Sequence, residues 1–313
     1  MKARINKANS GADTMLLEPK LHGNSFTNYY ELTKPNIWYL LVFTALGAAI
    51  AAGGWKNPLA VLLVIASTAL GSAGANTLTC YIDRDIDAIM QRTKHRPIPS
   101  GRITPARALY FGLAISALSI AFALLLNPLS ALLMFLGIAD NVVVYSMLLK
   151  RRNPSNIILG GFSGGAPALI GYTGITSTIS LEALLVASLV MIWIPAHIWS
   201  LSLRFKDDYS KVKVPMLPVV TSNSTAIRII SFSSILLVAF SVVPYLLHFF
   251  GSVYLISAVV LGIGIIYLSV KLLFVPTEER AWTLFKFTSP YLAIIFVAMM
   301  VDAVLRSSSL WLP

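Results

Sequence analysis

Five aspartates stand in two groups, each followed by bases and prolines. The first is Asp83-Arg84-Asp85-Ile86-Asp87, leading into Arg92-Thr93-Lys94-His95-Arg96-Pro97-Ile98-Pro99. The second is Arg204-Phe205-Lys206-Asp207-Asp208-Tyr209, leading into Lys213-Val214-Pro215-Met216-Leu217-Pro218. On a helix Asp83 and Asp87 share a face with Thr79, and Asn76 stands two turns earlier on the same stripe, while Asp85 points away. His197, Arg204 and Asp208 fall at i, i+7 and i+11, a second stripe that reaches about 16 Å from its charged end. Loop carboxylates are ordinarily just solvated, but polar stripes that climb into apolar helices argue for a pocket. Carboxylates one turn apart repel unless a cation joins them. Oxygen ligands without thiolates or paired imidazoles suit Mg²⁺, which takes one or two carboxylates together with water and phosphate. The interleaved Arg84, Arg92, Lys94, Arg96, Arg204 and Lys206 suit an anion that the metal alone does not neutralise. A diphosphate with a long apolar tail is the expected guest.

The elements that must position these residues are membrane helices. Of 313 residues, 57% are hydrophobic and 12% charged, a composition that excludes an ordinary soluble domain. Nine apolar stretches approach the roughly 20 residues that a bilayer core requires. They are 37–54, 59–82, 108–126, 129–149, 157–175, 181–203, 229–247, 253–273 and 289–305. The expected fold is therefore all-α and polytopic, with nine transmembrane helices. Residues 1–30 read as a polar leader, 31–306 as the membrane domain and 307–313 as a short tail. The first apolar stretch begins too late to be the core of a cleaved signal peptide.

Lys and Arg outnumber Asp and Glu by 24 to 13. Every second connection collects them: five before the first stretch, six between Arg84 and Arg107, three at Lys150–Arg152, five from Arg204 to Arg228 and three from Lys271 to Lys286. Only Lys56 and Arg306 lie on the other side. By the positive-inside rule the N-terminus is cytoplasmic and the C-terminus external, in the cell membrane. Topology accounts for the basic surplus, so no nucleic-acid partner is expected. The single Cys80 excludes an internal disulfide, a thiolate metal cluster and a c-type haem attachment pair.

The two charged loops follow spans two and six, and Lys34-Pro35-Asn36-Ile37 before span one matches Asn153-Pro154-Ser155-Asn156-Ile157 before span five. Two four-helix repeats plus a ninth helix are expected, with a site between the repeats. A secondary transporter shares that plan, but its site usually lies near the midplane, whereas these aspartates sit at one surface. Two further polar residues fall inside spans. His197 either bonds across helices or contacts a substrate, and Asp140 beside Asn141 either works chemically or makes an interhelical hydrogen bond. Lys150-Arg151-Arg152 reads mainly as a topology signal, with anion binding as the lesser alternative. Gly160 to Gly171 lacks a phosphate-loop lysine and reads as close helix packing.

Both aspartate runs, the Leu32-Thr33-Lys34-Pro35 segment, Gly160-Gly161-Phe162-Ser163-Gly164-Gly165-Ala166-Pro167 and Pro215-Met216-Leu217-Pro218-Val219 stand in an order that resembles the protohaem IX farnesyltransferases of the UbiA prenyltransferase superfamily. The resemblance runs from about Glu31 into the last span. It implies an enzyme that uses Mg²⁺ to move the farnesyl group of farnesyl diphosphate onto a vinyl group of protohaem, with water added, giving haem O. By that resemblance Asp83, Asp87, Asp207 and Asp208 are the catalytic and metal-holding positions. Asn76, Thr79, Arg84, Arg92, Lys94, Arg96, His197, Arg204 and Lys206 form the substrate-binding set, and haem A synthase or a terminal oxidase is an implied assembly partner. Thr79 stands where the family usually has Asn, and Lys211-Val212 where the wider superfamily has a later Asp. An aromatic or quinone acceptor is the alternative within the same superfamily.

Overall fold

The computed structural model describes residues 25–306, so most of the expected leader and all of the tail at 307–313 lie outside the described residues. Within that range every regular element is helical. In chain order they are α1 (Ser25–Leu32), α2 (Pro35–Ala51), α3 (Pro58–Ile82), α4 (Arg84–Ile89), α5 (Pro105–Leu126), α6 (Pro128–Ala139), α7 (Asn156–Leu159) and α8 (Phe162–Thr176). Then follow α9 (Leu181–Arg204), α10 (Lys206–Lys211), α11 (Leu217–Val220), α12 (Asn223–Leu246), α13 (Ser252–Phe274) and α14 (Glu278–Arg306). A 3₁₀ turn covers Gly54–Lys56, and α6 runs directly into a π-helical segment at Asp140–Leu149.

Local sequence sets most of the helix starts. Asn57, Thr104 and Asn127 each stand before a proline, and each side chain accepts the N–H three residues on, from Ala60, Arg107 and Ser130. The side chain satisfies an orphan donor, and proline at the first helical position has no N–H to satisfy. Ser180 and Ser222 cap α9 and α12 in the same way. Two buried carboxylates do this work from a distance: Asp302 accepts from Gly251 and Tyr254 at the start of α13, and Asp140 accepts from Ser163 at the start of α8, all at 2.8 Å.

Among the described residues seven helices are long and apolar enough to cross a bilayer, or eight if α1 and α2, bent by 58°, form one span. The first and fifth expected spans account for the difference. Lys34 sits in the left-handed region at φ 55° and separates α1 from the 17-residue α2. The fifth stretch breaks at Gly160-Gly161 into the four residues of α7 and the 15 of α8.

Large apolar side chains cover the outside, as lipid contact requires: Leu125, Phe232 and Ile263 are each more than 60% exposed. Inside, small residues bring backbones together. A Cβ on Gly171 would run into the Ala45 carbonyl where α8 crosses α2, and one on Gly160 would meet Tyr145. The glycine-rich stretch thus serves packing. Helix α2 packs on α3, α3 on α5 and α5 on α6; α8 packs on α9, α9 on α12 and α12 on α13. Helix α14 closes against α9, α13 and α2. In both runs the second long helix ends at an aspartate-bearing short helix, α4 after α3 and α10 after α9.

Candidate active site

Asp83 is the hinge between α3 and α4, with φ −87° and ψ 3°, and its N–H still donates to Thr79 O at 2.9 Å. One turn on, the Asp87 N–H donates to Asp83 O at 2.8 Å, so the two carboxylates remain neighbours. Both are almost fully buried, as are Thr79 and Asn76 below them, while Asp85 is exposed. The polar stripe expected on α3 is therefore present.

Each buried carboxylate has its own cation. Lys150, just past the π-helical segment, is hydrogen-bonded to Asp83 Oδ2, and Arg96 Nη1 donates to Asp87 Oδ2 at 2.7 Å. Arg151 clasps the exposed Asp85 with both nitrogens, at 2.6 and 2.7 Å, and holds that carboxyl below its usual range. Burial would lower Lys150, but the charge of the Asp83 carboxylate and its hydrogen bond outweigh that and raise the ammonium above its ordinary value. Arg96 follows the same pattern, with burial opposed by Asp87. Lys34 reaches in from the α1–α2 break and donates to Thr79 Oγ1 at 2.9 Å.

The second aspartate group arrives from the other run of helices. Asp208 is buried, and its carboxylate accepts the main-chain N–H groups of Gln91 and Arg92 at 3.4 and 3.2 Å. The Arg92 guanidinium lies over the Phe205 ring and donates to Tyr209 Oη at 3.3 Å. The two loops therefore close on each other, and Asp208 fixes the peptide that leads to Arg96.

The other sequence candidates are placed differently. Asp207 and Lys94 are exposed. Arg84 folds back onto Tyr81, Arg204 faces Glu278 at 3.6 Å, and Lys206 donates to Asn223 at 2.7 Å. Helix α9 ends at Phe205, with φ −110°, so the i+11 extrapolation from His197 to Asp208 does not hold across the break. His197 is buried between Trp193 and Phe285, stacked on both rings, with Nδ1 2.7 Å from Thr288 Oγ1. Asp140 makes the interhelical bond to Ser163 and does not reach the site.

Lys150, Arg151 and Lys34 also stand at the aspartates, on Asp83, Asp85 and Thr79, where the sequence reads Lys150 to Arg152 mainly as a topology signal and Lys34 as part of a repeated helix start. Their signal is an excess of positive charge at the helix end that faces the aspartates, which topology also explains.

For a metal the test is the donor set. Asp83 Oδ1 is buried with no hydrogen-bond partner among the described residues, and Arg151 stays 3.9 Å away. Among the described residues no three His, Cys, Asp or Glu groups stand close enough to cage an ion by themselves. Mg²⁺ does not ask for such a cage, since it keeps waters and takes one or two carboxylates plus substrate phosphate. An orphaned carboxylate oxygen beside a second carboxylate fits that requirement.

The model of the UbiA prenyltransferase family matches residues 40–296. The chain is 49% identical over 298 residues to protoheme IX farnesyltransferase 2 of Cenarchaeum symbiosum, covering 89% of this chain and 96% of that one. A solved structure of digeranylgeranylglyceryl phosphate synthase in membranes superposes with TM-score 0.75 at 23% identity, over 90% of this chain and 99% of the other. A UbiA homologue from Archaeoglobus fulgidus bound to GPP and Mg²⁺ superposes with TM-score 0.58 at 17% identity, over 87% and 99%. At those identities the two structures speak for the fold alone.

Proposed function

We propose, from the premise that this chain belongs to the UbiA prenyltransferase family, that it transfers the farnesyl group of farnesyl diphosphate to a vinyl group of protohaem IX, with addition of water, giving haem O and diphosphate. The observation that carries the reading is the junction of the two aspartate loops: Asp83 and Asp87 buried side by side, and Asp208 holding the backbone between them and Arg96. The 49% identity to a protoheme IX farnesyltransferase supports protohaem as acceptor over an aromatic or quinone ring.

Asp83 and Asp87 would hold Mg²⁺, with Asp207 and Asp208 of the second loop completing the acidic rim. When bound, the ion supplies positive charge to the departing diphosphate. The chain's own part is electrostatic and positional. Lys150, Arg96, Arg92 and Lys34 bind phosphate oxygens and stabilise the charge that grows as the allylic C1–O bond lengthens, an effect often dominant in catalysis. Because the carboxylates are nearly closed to solvent, bulk water has little access to the allylic cation, and hydrolysis is suppressed. The electron-rich vinyl attacks instead, so no nucleophilic side chain is required.

The same reading has nine spans in the cell membrane, two four-helix units and a ninth helix, with the N-terminus cytoplasmic. The distribution of Lys and Arg supports the orientation. The matched α3–α4 and α9–α10 pairs support the repeat. Delivery of the product to haem A synthase or a terminal oxidase belongs to it as well.

The test incubates membranes carrying the protein with farnesyl diphosphate, Mg²⁺ and protohaem, and separates haems by chromatography. A less polar haem and stoichiometric diphosphate are expected. Prenylation of a phenolic acceptor with no new haem would reject the acceptor, and substrate movement without diphosphate release would reject the transferase.

A further inference from the structure

Lys34 is held in a backbone conformation that its residue type does not favour. Its φ of 55° lies in the left-handed region, uncommon for a residue with a Cβ and kept only where neighbours over-determine it. The ammonium donates to Thr79 Oγ1, whose own proton goes to Asn76 O at 2.8 Å. Among the described residues Lys34 makes no ion pair. It lies within electrostatic reach of the like charges of Arg96 and Lys150 and of the opposite charge of Asp87. A cation whose one side-chain partner is a neutral hydroxyl, beside two further cations, is set for an anion.

The group that fixes this turn lies outside the site. The Lys34 N–H donates to Glu31 O at 3.1 Å, and the Glu31 carboxylate is gripped by both terminal nitrogens of Arg102, at 2.6 and 2.9 Å. Arg102 also donates to Asn28 Oδ1 at 2.9 Å, one turn back on α1, to His95 O, and from Nε to Ser100 Oγ at 3.0 Å. All five N–H donors of the guanidinium are thus in use, and none is left for a substrate. Ser100 passes the link on, since its hydroxyl donates to Arg96 O at 2.8 Å. Beneath the clamp Leu32 is fully buried with Ile98 and Ile103 of the same loop, Cys80 of α3 and Ala108 of α5. An isolated surface ion pair adds little, but a bidentate arginine within a network is the exception. We propose that the Glu31–Arg102 pair is a positioning element for the leaving group, an inference that rests on the function proposed above. It holds α1 against the 95–103 loop, so that Lys34 at the end of α1 and Arg96 in that loop present their charges to one diphosphate. Glu31 and Arg102 touch no substrate and act through Lys34.

Calorimetric titration of the full-length protein in lipid nanodiscs with farnesyl diphosphate and Mg²⁺, without acceptor, reads this out as a Kd. Glu31→Ala and Arg102→Met are each expected to raise Kd about fivefold, the upper range for a networked surface pair. Arg102→Lys, which keeps the charge but loses the fork, should fall between. Lys34→Met is expected to raise Kd about tenfold, as for a lost hydrogen bond to a charged group. Glu31→Ala placed on Lys34→Met should add less than about twofold, because the clamp then has nothing to position. Full additivity of those two changes, or an unaltered Kd in both clamp variants, would overturn the proposal. So would a smaller fraction of binding-competent protein at constant Kd, which is what a merely structural pair gives. Should Glu31→Ala fail to fold, Arg102→Lys on the Lys34→Met background carries the same test. Loss of additivity supports the clamp even where a separate assay rejects protohaem as acceptor, whereas failure of the unaltered protein to bind farnesyl diphosphate would overturn the proposed function and the clamp together.

Discussion

Asp208 Oδ2 accepts the main-chain N–H of Arg92 at 3.2 Å, across 116 residues of sequence. A carboxylate expected to hold a metal is thus also the clamp that shapes the loop of the other aspartate group. Its removal should loosen Arg92 and Arg96 together. Asp208→Ala gives up hydrogen bonds to a charged acceptor, each worth about 1.5–3 kcal/mol. The expected result is a fall of about 10- to 100-fold in kcat/KM for the prenyl diphosphate, with Asp208→Asn intermediate, measured by diphosphate release.

Lys150 is the ammonium partner of the buried Asp83 carboxylate. Replacing one member of a buried pair leaves the other uncompensated, a loss of about 3–5 kcal/mol. Lys150→Met is therefore expected to lower the thermal unfolding midpoint in detergent and to abolish turnover. Asp83→Asn on the Lys150→Met background, which removes the stranded charge, should recover stability but not activity. Additive loss of stability in the double variant would refute the pairing.

Asp83→Ala alone should insert into membranes normally and release no diphosphate. Chelation of the unaltered protein by EDTA should mimic that loss, and added Mg²⁺ should reverse it. Full turnover in Asp83→Ala, or indifference to EDTA, would remove Asp83 from the ion site.

Gly171 offers a test of packing independent of the chemistry. A Cβ there meets the backbone of Ala45, which has no rotamer to yield, whereas one on Gly262 meets only the Val238 side chain. Overpacking costs about 1–3 kcal/mol. Gly171→Ala is expected to destabilise by that amount in a detergent melt, and Gly262→Ala by clearly less.

How much of this was legible from the residues depends on whether the information is local. The stripe from Asn76 to Asp87 was readable because α3 is continuous up to Asp83 and the i to i+4 bonds from Asp83 to Thr79 and from Asp87 to Asp83 carry the helical spacing across the hinge. The second stripe divides: His197 and Arg204 meet Thr288 and Glu278 of α14, whereas Asp208, past the end of α9 at Arg204, meets the backbone of Gln91 and Arg92. Periodicity has no reach across such a break. The pairing of Lys150 with Asp83 joins residues 67 apart, and no helical spacing encodes it. Asp140 and the glycines resolved toward packing, the ordinary fate of polar and small residues inside a span.

The π-helical segment at Asp140–Leu149 ends with the Lys150 N–H on Tyr145 O, an i to i+5 bond at 2.8 Å. Such a turn carries an extra residue compared with α-helical winding. It advances everything downstream in phase, and here what lies downstream is the cation that meets Asp83. The membrane anchor and the reaction centre consequently share one angular setting. A lineage that relaxed this wide turn to ordinary pitch would keep a passable membrane helix and swing the ammonium away from its carboxylate, so the bulge ties the length of a lipid-facing segment to chemistry that it never touches.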